Sequence, residues 1–153
     1  MLRASNRSLN PESARPEPAT SESESALNIT VVFTAAKDTI AALKKAGTMA
    51  ESLGARITLL VLQIVPFPLP LTSPPVLLDF QEKRFREIAK ESPVDTTVQL
   101  YLCRDRDDTL SKVLEPRSIV VIGGRKQFWP TLASRMARRL RKAGHEVILT
   151  EEN

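Results

Sequence analysis

The chain has 153 residues, 42% of them hydrophobic, and a net charge of +4. The length and the hydrophobic content fit one domain with a substantial core and exclude two domains. Its single cysteine, Cys103, excludes an internal disulfide. The first 27 residues contain no apolar run, so they do not read as a secretory signal peptide, and we expect a cytoplasmic protein.

The positive charge is concentrated near the carboxyl terminus. Seven cations follow one another there without an intervening acidic residue: Arg125, Lys126, Arg135, Arg138, Arg139, Arg141 and Lys142. The basicity is therefore one local patch. No aromatic residues alternate with these cations along the helix, which argues against nucleic-acid binding by base stacking. An ordinary solvated helix face and a polyanion-binding face both remain open.

Residues 1–27 differ in composition from the rest of the chain. They are rich in Ser, Pro and Glu and poor in aromatic and β-branched residues, so they bury too little surface to offset the entropy of ordering. The sequence predicts a disordered tail over 1–27 and a folded domain over 28–153.

The domain begins with alternating strand and helix patterns. NITVVFT, from Asn28, predicts an uncharged strand, and apolar residues at steps of three and four predict a helix from Lys37 to Leu53 that ends at Gly54. Ala55 to Val65 is almost continuously apolar, as in a parallel strand covered on both faces. Five prolines follow within ten residues, which excludes a continuous membrane-spanning helix through this apolar region.

The alternation continues to the carboxyl terminus. The predicted elements are a helix over Leu77 to Ser92, a strand over Thr96 to Cys103, a short helix over Asp107 to Leu114, a strand over Ile119 to Ile122, a helix starting near Pro130, and a last strand containing Val147 to Thr150. Strands that alternate with helices predict an α/β fold: a three-layer α/β/α sandwich around a five-stranded parallel sheet.

Gly123 and Gly124 mark a candidate anion site. Glycines directly after a buried strand permit a turn with positive φ and close backbone approach, so the N–H groups that follow can surround an oxyanion. Arg125 and Lys126 would add positive charge, and Ser134 lies near the start of the next helix. The alternative is that the glycines only form the turn and the charges only solvate it.

Three other features have simpler explanations. Asp105, Asp107 and Asp108 could hold Mg²⁺, but a helix N-cap with pairing to neighbouring arginines is favoured. Cys103 ends a strand without a nearby His, which is typical of an inert buried thiol. No motif places a nucleophile beside His145, so no catalytic triad is supported and no catalytic or metal-binding residue is assigned.

The segments ARITLLVLQIVPFP and SIVVIGG…LASRMARRLRKAGHEVILT resemble a universal stress protein domain. The resemblance covers Asn28 to Glu151 and implies the adenine-nucleotide α-hydrolase-like, Rossmann-like fold. It also implies a homodimer and, in one subgroup, ATP bound by Gly-x-x-Gly-x₉-Gly-Ser/Thr. Gly123 matches the first glycine of that motif, Ala133 its final glycine and Ser134 its Ser/Thr.

The chain also departs from this pattern. The loop after Gly123 is about three residues shorter than the motif requires, and Thr34 stands where nucleotide-binding members carry an aspartate. The resemblance thus implies an altered pocket for an adenine nucleotide or another anion, formed by Thr34, Gly123, Gly124, Arg125, Lys126, Ala133 and Ser134. The homodimer would form through the C-terminal strand.

A second resemblance lies at the first turn. Thr34-Ala35-Ala36-Lys37-Asp38-Thr39 is similar to the Ser-Gly-Gly-x-Asp-Ser loop of ATP-pyrophosphatases, with alanines in place of both glycines. The sequence favours a regulatory or binding module that is not a turnover enzyme. An enzyme of the pyrophosphatase type and a polyanion binder are the alternatives.

Overall fold

The computed structural model describes residues 2–8, 27–65, 67, 78–125 and 130–152. Its elements in chain order are β1 (Leu2–Ser8), β2 (Asn28–Val32), α1 (Ala36–Leu53), β3 (Arg56–Ile64), α2 (Leu78–Ala89), β4 (Thr96–Cys103), α3 (Arg106–Val113), β5 (Ile119–Arg125), α4 (Leu132–Lys142) and β6 (Glu146–Glu152). Within the described ranges, no helix is both long enough and apolar enough to cross a membrane.

The strands form one sheet in the order β1-β4-β3-β2-β5-β6. The pairs β2–β3, β3–β4, β2–β5 and β5–β6 are parallel, which confirms the predicted five-stranded parallel sheet and its α/β/α class. The chain first adds strands on one side of β2 and then returns to add β5 and β6 on the other. The sheet therefore changes its direction of growth between β2 and β5.

The strand β1 was not expected. Leu2–Ser8 pairs antiparallel with β4, with Leu2 opposite Leu102 and Ser8 opposite Thr97, where the sequence predicts a disordered tail. Backbone hydrogen bonds to an open sheet edge do not require the β-branched or alternating residues on which the sequence prediction depends. Residues 9–26 lie outside the described residues.

Helices cover both faces of the sheet, and each face has its own apolar core. The α1 and α2 side buries residues such as Leu43, Leu59 and Phe85. The α3 and α4 side buries Leu110 and Met136 with the alternate residues of the same strands. Each central strand is thus buried on both of its faces, which explains its nearly continuous apolar sequence.

The helix ends predicted at two glycines are confirmed, and the last helix starts two residues after the proline near which it was predicted to begin. α1 ends at Gly54, whose φ of 64° is left-handed, and α4 is followed by Gly144 with φ of 100°. Both conformations favour glycine. However, α4 begins at Leu132 with Thr131 as its N-cap, whereas the sequence suggests Pro130 as its start, because a threonine whose side chain accepts an N–H outcompetes the preference for proline.

The predicted turn at Gly123 and Gly124 is also wrong. Both glycines are buried residues of β5 that pair with Thr150 and Glu151 of β6. Neither belongs to the glycines with positive φ among the described residues. Their lack of a side chain serves packing: a Cβ on Gly123 would lie 2.0 Å from the Asp38 carbonyl oxygen, and one on Gly124 would lie 2.8 Å from Cβ of Ala133. The missing side chain lets α1 pack closely against β5 at Gly123 and lets α4 pack closely at Gly124.

We predict that Gly123→Ala destabilises the fold by about 3 kcal/mol, because backbone atoms of α1 must move to admit the methyl group. Gly54→Ala is the matched control: open space surrounds Gly54, and its left-handed φ alone costs about 1 kcal/mol. Urea unfolding of the three proteins gives both free-energy differences. A loss at Gly123 no larger than the loss at Gly54 would contradict the packing role.

Candidate functional site

The carboxyl ends of β2 and β5 lie beside the first turns of α1 and α4. In open parallel sheets, ligands bind where the direction of strand addition reverses, and here that position is between β2 and β5. We call this place the switch-point crevice and define it by Thr34–Asp38 and Gly123–Arg125. The topology thus brings Thr34 next to Gly123 and Arg125, as the predicted site requires.

A side-chain hydrogen bond closes the floor of the crevice. The Thr34 hydroxyl donates to the Gly123 carbonyl oxygen at 2.7 Å. The Thr34 amide in turn donates to Oγ1 of Thr39 at 3.1 Å. Thr34 therefore fastens β2 to β5 at the point where the sheet ends, and the resemblance places an aspartate at this same position.

The N-terminus of α1 is open toward the crevice. Its N-cap residue, Ala35, makes no side-chain cap, and the first helical hydrogen bond runs from the Thr39 amide to the Ala35 carbonyl at 2.8 Å. The amides of Ala36, Lys37 and Asp38 precede that bond, so they have no acceptor within the helix. Amides without an acceptor in the helix and the positive end of the helix dipole favour an anion.

One carboxylate and one guanidinium face each other across the crevice. Asp38, in the first turn of α1, has a side chain only 11% exposed, and its Oδ1 lies 3.6 Å from Nε of Arg125, whose side chain is 59% exposed. Arg125 reaches this position because it is the last residue of β5. An exposed guanidinium in an ion pair this long can turn toward an anionic ligand at little cost.

The N-terminus of α4 is closed by its own side chains. Oγ of Ser134 accepts from the Thr131 amide at 2.8 Å, and Oγ1 of Thr131 accepts from the Ser134 amide at 3.1 Å. This capping box satisfies two amides at the helix start that the sequence analysis places near the anion site. Ala133 is buried against Gly124. Both residues therefore have structural roles on this side of the crevice, and Lys126 lies outside the described residues.

The structure also shows a feature that sequence reasoning missed. The prediction placed the anion donors at the start of α4, but the open amides are those of α1, after Thr34. The signal was present in the sequence: α4 is preceded by Thr131 and has Ser134 three positions later, whereas α1 is preceded by alanine. The N-terminus of α4 has capping residues and the N-terminus of α1 has none, which distinguishes the two helix ends.

The remaining candidates have the simpler explanations. Oδ1 of Asp105 accepts from the Asp108 amide at 3.0 Å as the N-cap of α3, and no group of potential metal ligands occurs among the described residues. Cys103 is buried, and burial raises the pKa of its thiol. Nδ1 of His145 accepts from the Ser118 amide at 3.1 Å, which joins β5 to the start of β6.

Part of the basic patch on α4 is engaged within the protein. Arg139 forms an ion pair with Asp107, and Arg141 donates to the Val147 carbonyl oxygen at 3.0 Å. Arg135 and Arg138 are exposed and line a cavity of about 520 Å³ beside the helix. The patch is therefore smaller than the sequence suggests.

No protein-family model matches the chain, and no curated protein matches its sequence. Solved structures do match its fold. A universal stress protein from Archaeoglobus fulgidus superposes with a TM-score of 0.60 and 17% identity, over 84% of this chain and 96% of that one. The domain has the universal stress protein fold.

Two further structures agree with this assignment. A universal stress protein solved in complex with cAMP gives a TM-score of 0.53 at 14% identity, over 81% of this chain and 96% of that one. A protein of the universal stress protein family from Burkholderia pseudomallei gives a TM-score of 0.52 at 20% identity, over 80% of this chain and 93% of that one. The predicted resemblance is thus confirmed in structure.

We predict that Thr131→Ala destabilises the protein by about 1 kcal/mol, because the α4 capping box is lost. Thr131→Ser, which keeps the hydroxyl, should lose less than half as much in thermal or urea unfolding. If Thr131→Ala instead leaves stability unchanged without added ligand, the hydroxyl does not serve as a cap.

Proposed function

We propose that this universal-stress-protein-like domain is a stress-associated regulatory module that binds an adenine nucleotide, or a smaller phosphate-bearing anion, in the switch-point crevice. The observation that carries the proposal is the uncapped N-terminus of α1 at the carboxyl end of β2, with the exposed Arg125 opposite. A universal stress protein of the same fold has been solved with cAMP, which supports an adenine nucleotide as the ligand.

The residues of the crevice suggest how phosphate would be held. The phosphate oxygens accept from the amides of Ala36 and Lys37, and Arg125 turns from Asp38 to the ligand. Asp38 disfavours a highly charged phosphate chain at this point, so one or two charges fit better than four. Thr34 and Gly123 lie beneath the ligand, but the Thr34 hydroxyl and the Gly123 carbonyl are hydrogen-bonded to each other.

We predict that a saturating adenine nucleotide raises the melting temperature, since about a hundredfold excess over Kd stabilises a protein by about 2.7 kcal/mol. ATP and cAMP are the two probes. Arg125→Gln should weaken binding at least tenfold, because a charge-assisted hydrogen bond is lost. Arg138→Gln is the matched control, an exposed arginine on α4 away from the crevice, and should bind as the natural protein does.

Two outcomes would contradict the proposal: no stabilisation by either nucleotide, or an equal shift in the natural protein and in Arg125→Gln. Release of AMP and pyrophosphate from ATP, abolished by Asp38→Ala, would favour the pyrophosphatase alternative. Binding that is steeply salt-dependent and lost in Arg138→Gln would favour the polyanion-binding helix.

We also propose that two copies pair through β6, which is an edge strand of the described sheet. The Glu146 amide points to β5, where it donates to the Ser118 carbonyl at 3.0 Å. In a parallel ladder, alternate residues point to opposite sides, so the amides of Val147 and Leu149 point to the open edge. Cytoplasmic localisation is part of the same proposal.

We predict a dimer in sedimentation equilibrium that Leu149→Pro converts to monomer, because proline removes an outward-pointing N–H and leaves the amides that face β5. Leu149→Ala loses the same packing but keeps the amide, so it should remain dimeric. A monomeric natural protein, or equal loss of dimer in both variants, would contradict pairing through β6.

A further inference from the structure

The outer side of helix α4 differs from the side that packs on the sheet. The residues that α4 buries in the core are Ala133, Met136, Ala137 and Leu140. Leu132, Arg135, Arg138 and Lys142 are exposed, and they follow one another at steps of three and four, so they lie together on another side of the helix. We call these four residues the outer face of α4.

The cations of the outer face lack a carboxylate partner. The helix itself has no acidic residue. Within the described parts of the chain, Arg135, Arg138 and Lys142 form no ion pair, whereas their neighbour Arg139 pairs with Asp107. Lys142 lies in the last turn, where the helix dipole favours a cation, but Arg135 and Arg138 precede that turn. Like charges this close on a helix are destabilising, so the two arginines need an explanation outside the helix.

An apolar border runs along the outer face on the side of α3. A cavity of about 520 Å³ lies there, and it is lined by Leu132 and Met136 as well as by the cations. Leu132 is 43% exposed, although it is a large apolar residue. Asp107 reaches the same cavity from α3 and holds Arg139 there. The surface is therefore amphipathic, with an apolar edge beside α3 and a cationic edge next to it.

This combination argues against two common partners of basic helices. A nucleic acid would pair with the arginines, but no described aromatic residue lines the cavity for base stacking, and a phosphate backbone does not use Leu132. A helix that binds a membrane surface inserts a broad apolar face, whereas the other large apolar residues of α4, Met136 and Leu140, are buried in the core. A partner that satisfies the outer face must carry both carboxylates and an apolar side chain.

The spacing of the outer face fits a helix as the partner. Arg135 and Lys142 are seven residues apart in α4, which is about 10 Å along the helix axis. Carboxylates at steps of three and four on a second helix repeat at about 5–6 Å, so two or three of them lie opposite the cations at one time. Apolar residues beside those carboxylates then contact Leu132 and Met136, as when a groove recognises an amphipathic helix.

We propose that the outer face of α4 is a docking surface for an acidic amphipathic helix of a partner protein. Arg135, Arg138 and Lys142 pair with the carboxylates of that helix, and Leu132 contacts its apolar residues. The outer face shares no residue with the switch-point crevice or with β6. The proposal therefore stands or falls separately from nucleotide binding and from the pairing of two copies.

Fluorescence anisotropy of the full chain with a labelled synthetic peptide tests the proposal. The probe has about 18 residues, enough to form a helix in water, with Glu along one side of the helix and Leu beside it. We expect saturable binding at low salt concentration. The double variant Arg135→Gln/Arg138→Gln should bind about tenfold more weakly, since two charge pairs are lost. Lys44→Gln/Lys45→Gln is the matched control, which neutralises two exposed cations of α1, and it should bind as the natural protein does.

Two further comparisons separate a docking surface from a simple charge effect. Leu132→Ala should weaken binding about fivefold, because an apolar contact is lost, and should change little the binding of a peptide with Ala in place of Leu. A peptide with Gln in place of Glu should not bind. The proposal is overturned if the acidic peptide does not bind saturably, or if the two double variants lose affinity equally. It is also overturned if Leu132→Ala has no effect while heparin, single-stranded RNA or phosphatidylserine vesicles bind more tightly than the peptide.

Discussion

The contact between the first turn of α1 and β5 at Gly123 determines the geometry of the switch-point crevice. A Cβ at this position would lie 2.0 Å from the Asp38 carbonyl oxygen, so the helix backbone occupies the space that a side chain would need. This close approach sets the α1 N-terminus at the carboxyl end of β5. It also places the Asp38 carboxylate beside Arg125 and the Thr34 hydroxyl on the Gly123 carbonyl.

The two helix ends that meet at this crevice are chemically different. α4 closes its own N-terminus with Thr131 and Ser134, whereas α1 leaves its first amides without an acceptor in the helix. A ligand with negative charge gains more from open amides than from amides already bonded to hydroxyls. We therefore propose the α1 side of the crevice as the anion position, although the residue types that suggested a phosphate site belong to the α4 side.

The sequence predicts the fold well, and it predicts some of the residues that come together at the carboxyl ends of the strands. Uncharged strands and helices with apolar steps of three and four reflect burial on one or two faces, so the five parallel strands and four helices could be predicted. The pairing of Leu2–Ser8 could not, because an edge strand depends on backbone groups that every residue carries. Thr34, Gly123 and Arg125 do come together, since the carboxyl ends of adjacent parallel strands share one edge.

The glycine pair shows why the rest of the site was harder to predict. Glycine allows positive φ and also allows close packing, and the sequence alone does not separate the two. Gly123 and Gly124 continue β5 and admit a helix on each face, a role visible only once α1 and Ala133 are in place. Ser134 is similar, because a hydroxyl at a helix start suits both a ligand and a capping box.

An NMR titration of amide chemical shifts with an adenine nucleotide tests most directly whether the N-terminus of α1 binds an anion. We expect the largest saturable changes at the amides of Ala36, Lys37 and Asp38 and at Arg125, with the amides of α4 after Thr131 nearly unchanged. Changes concentrated at Leu132 to Ser134, or no saturable change at either helix end, would contradict an anion site formed by the open N-terminus of α1.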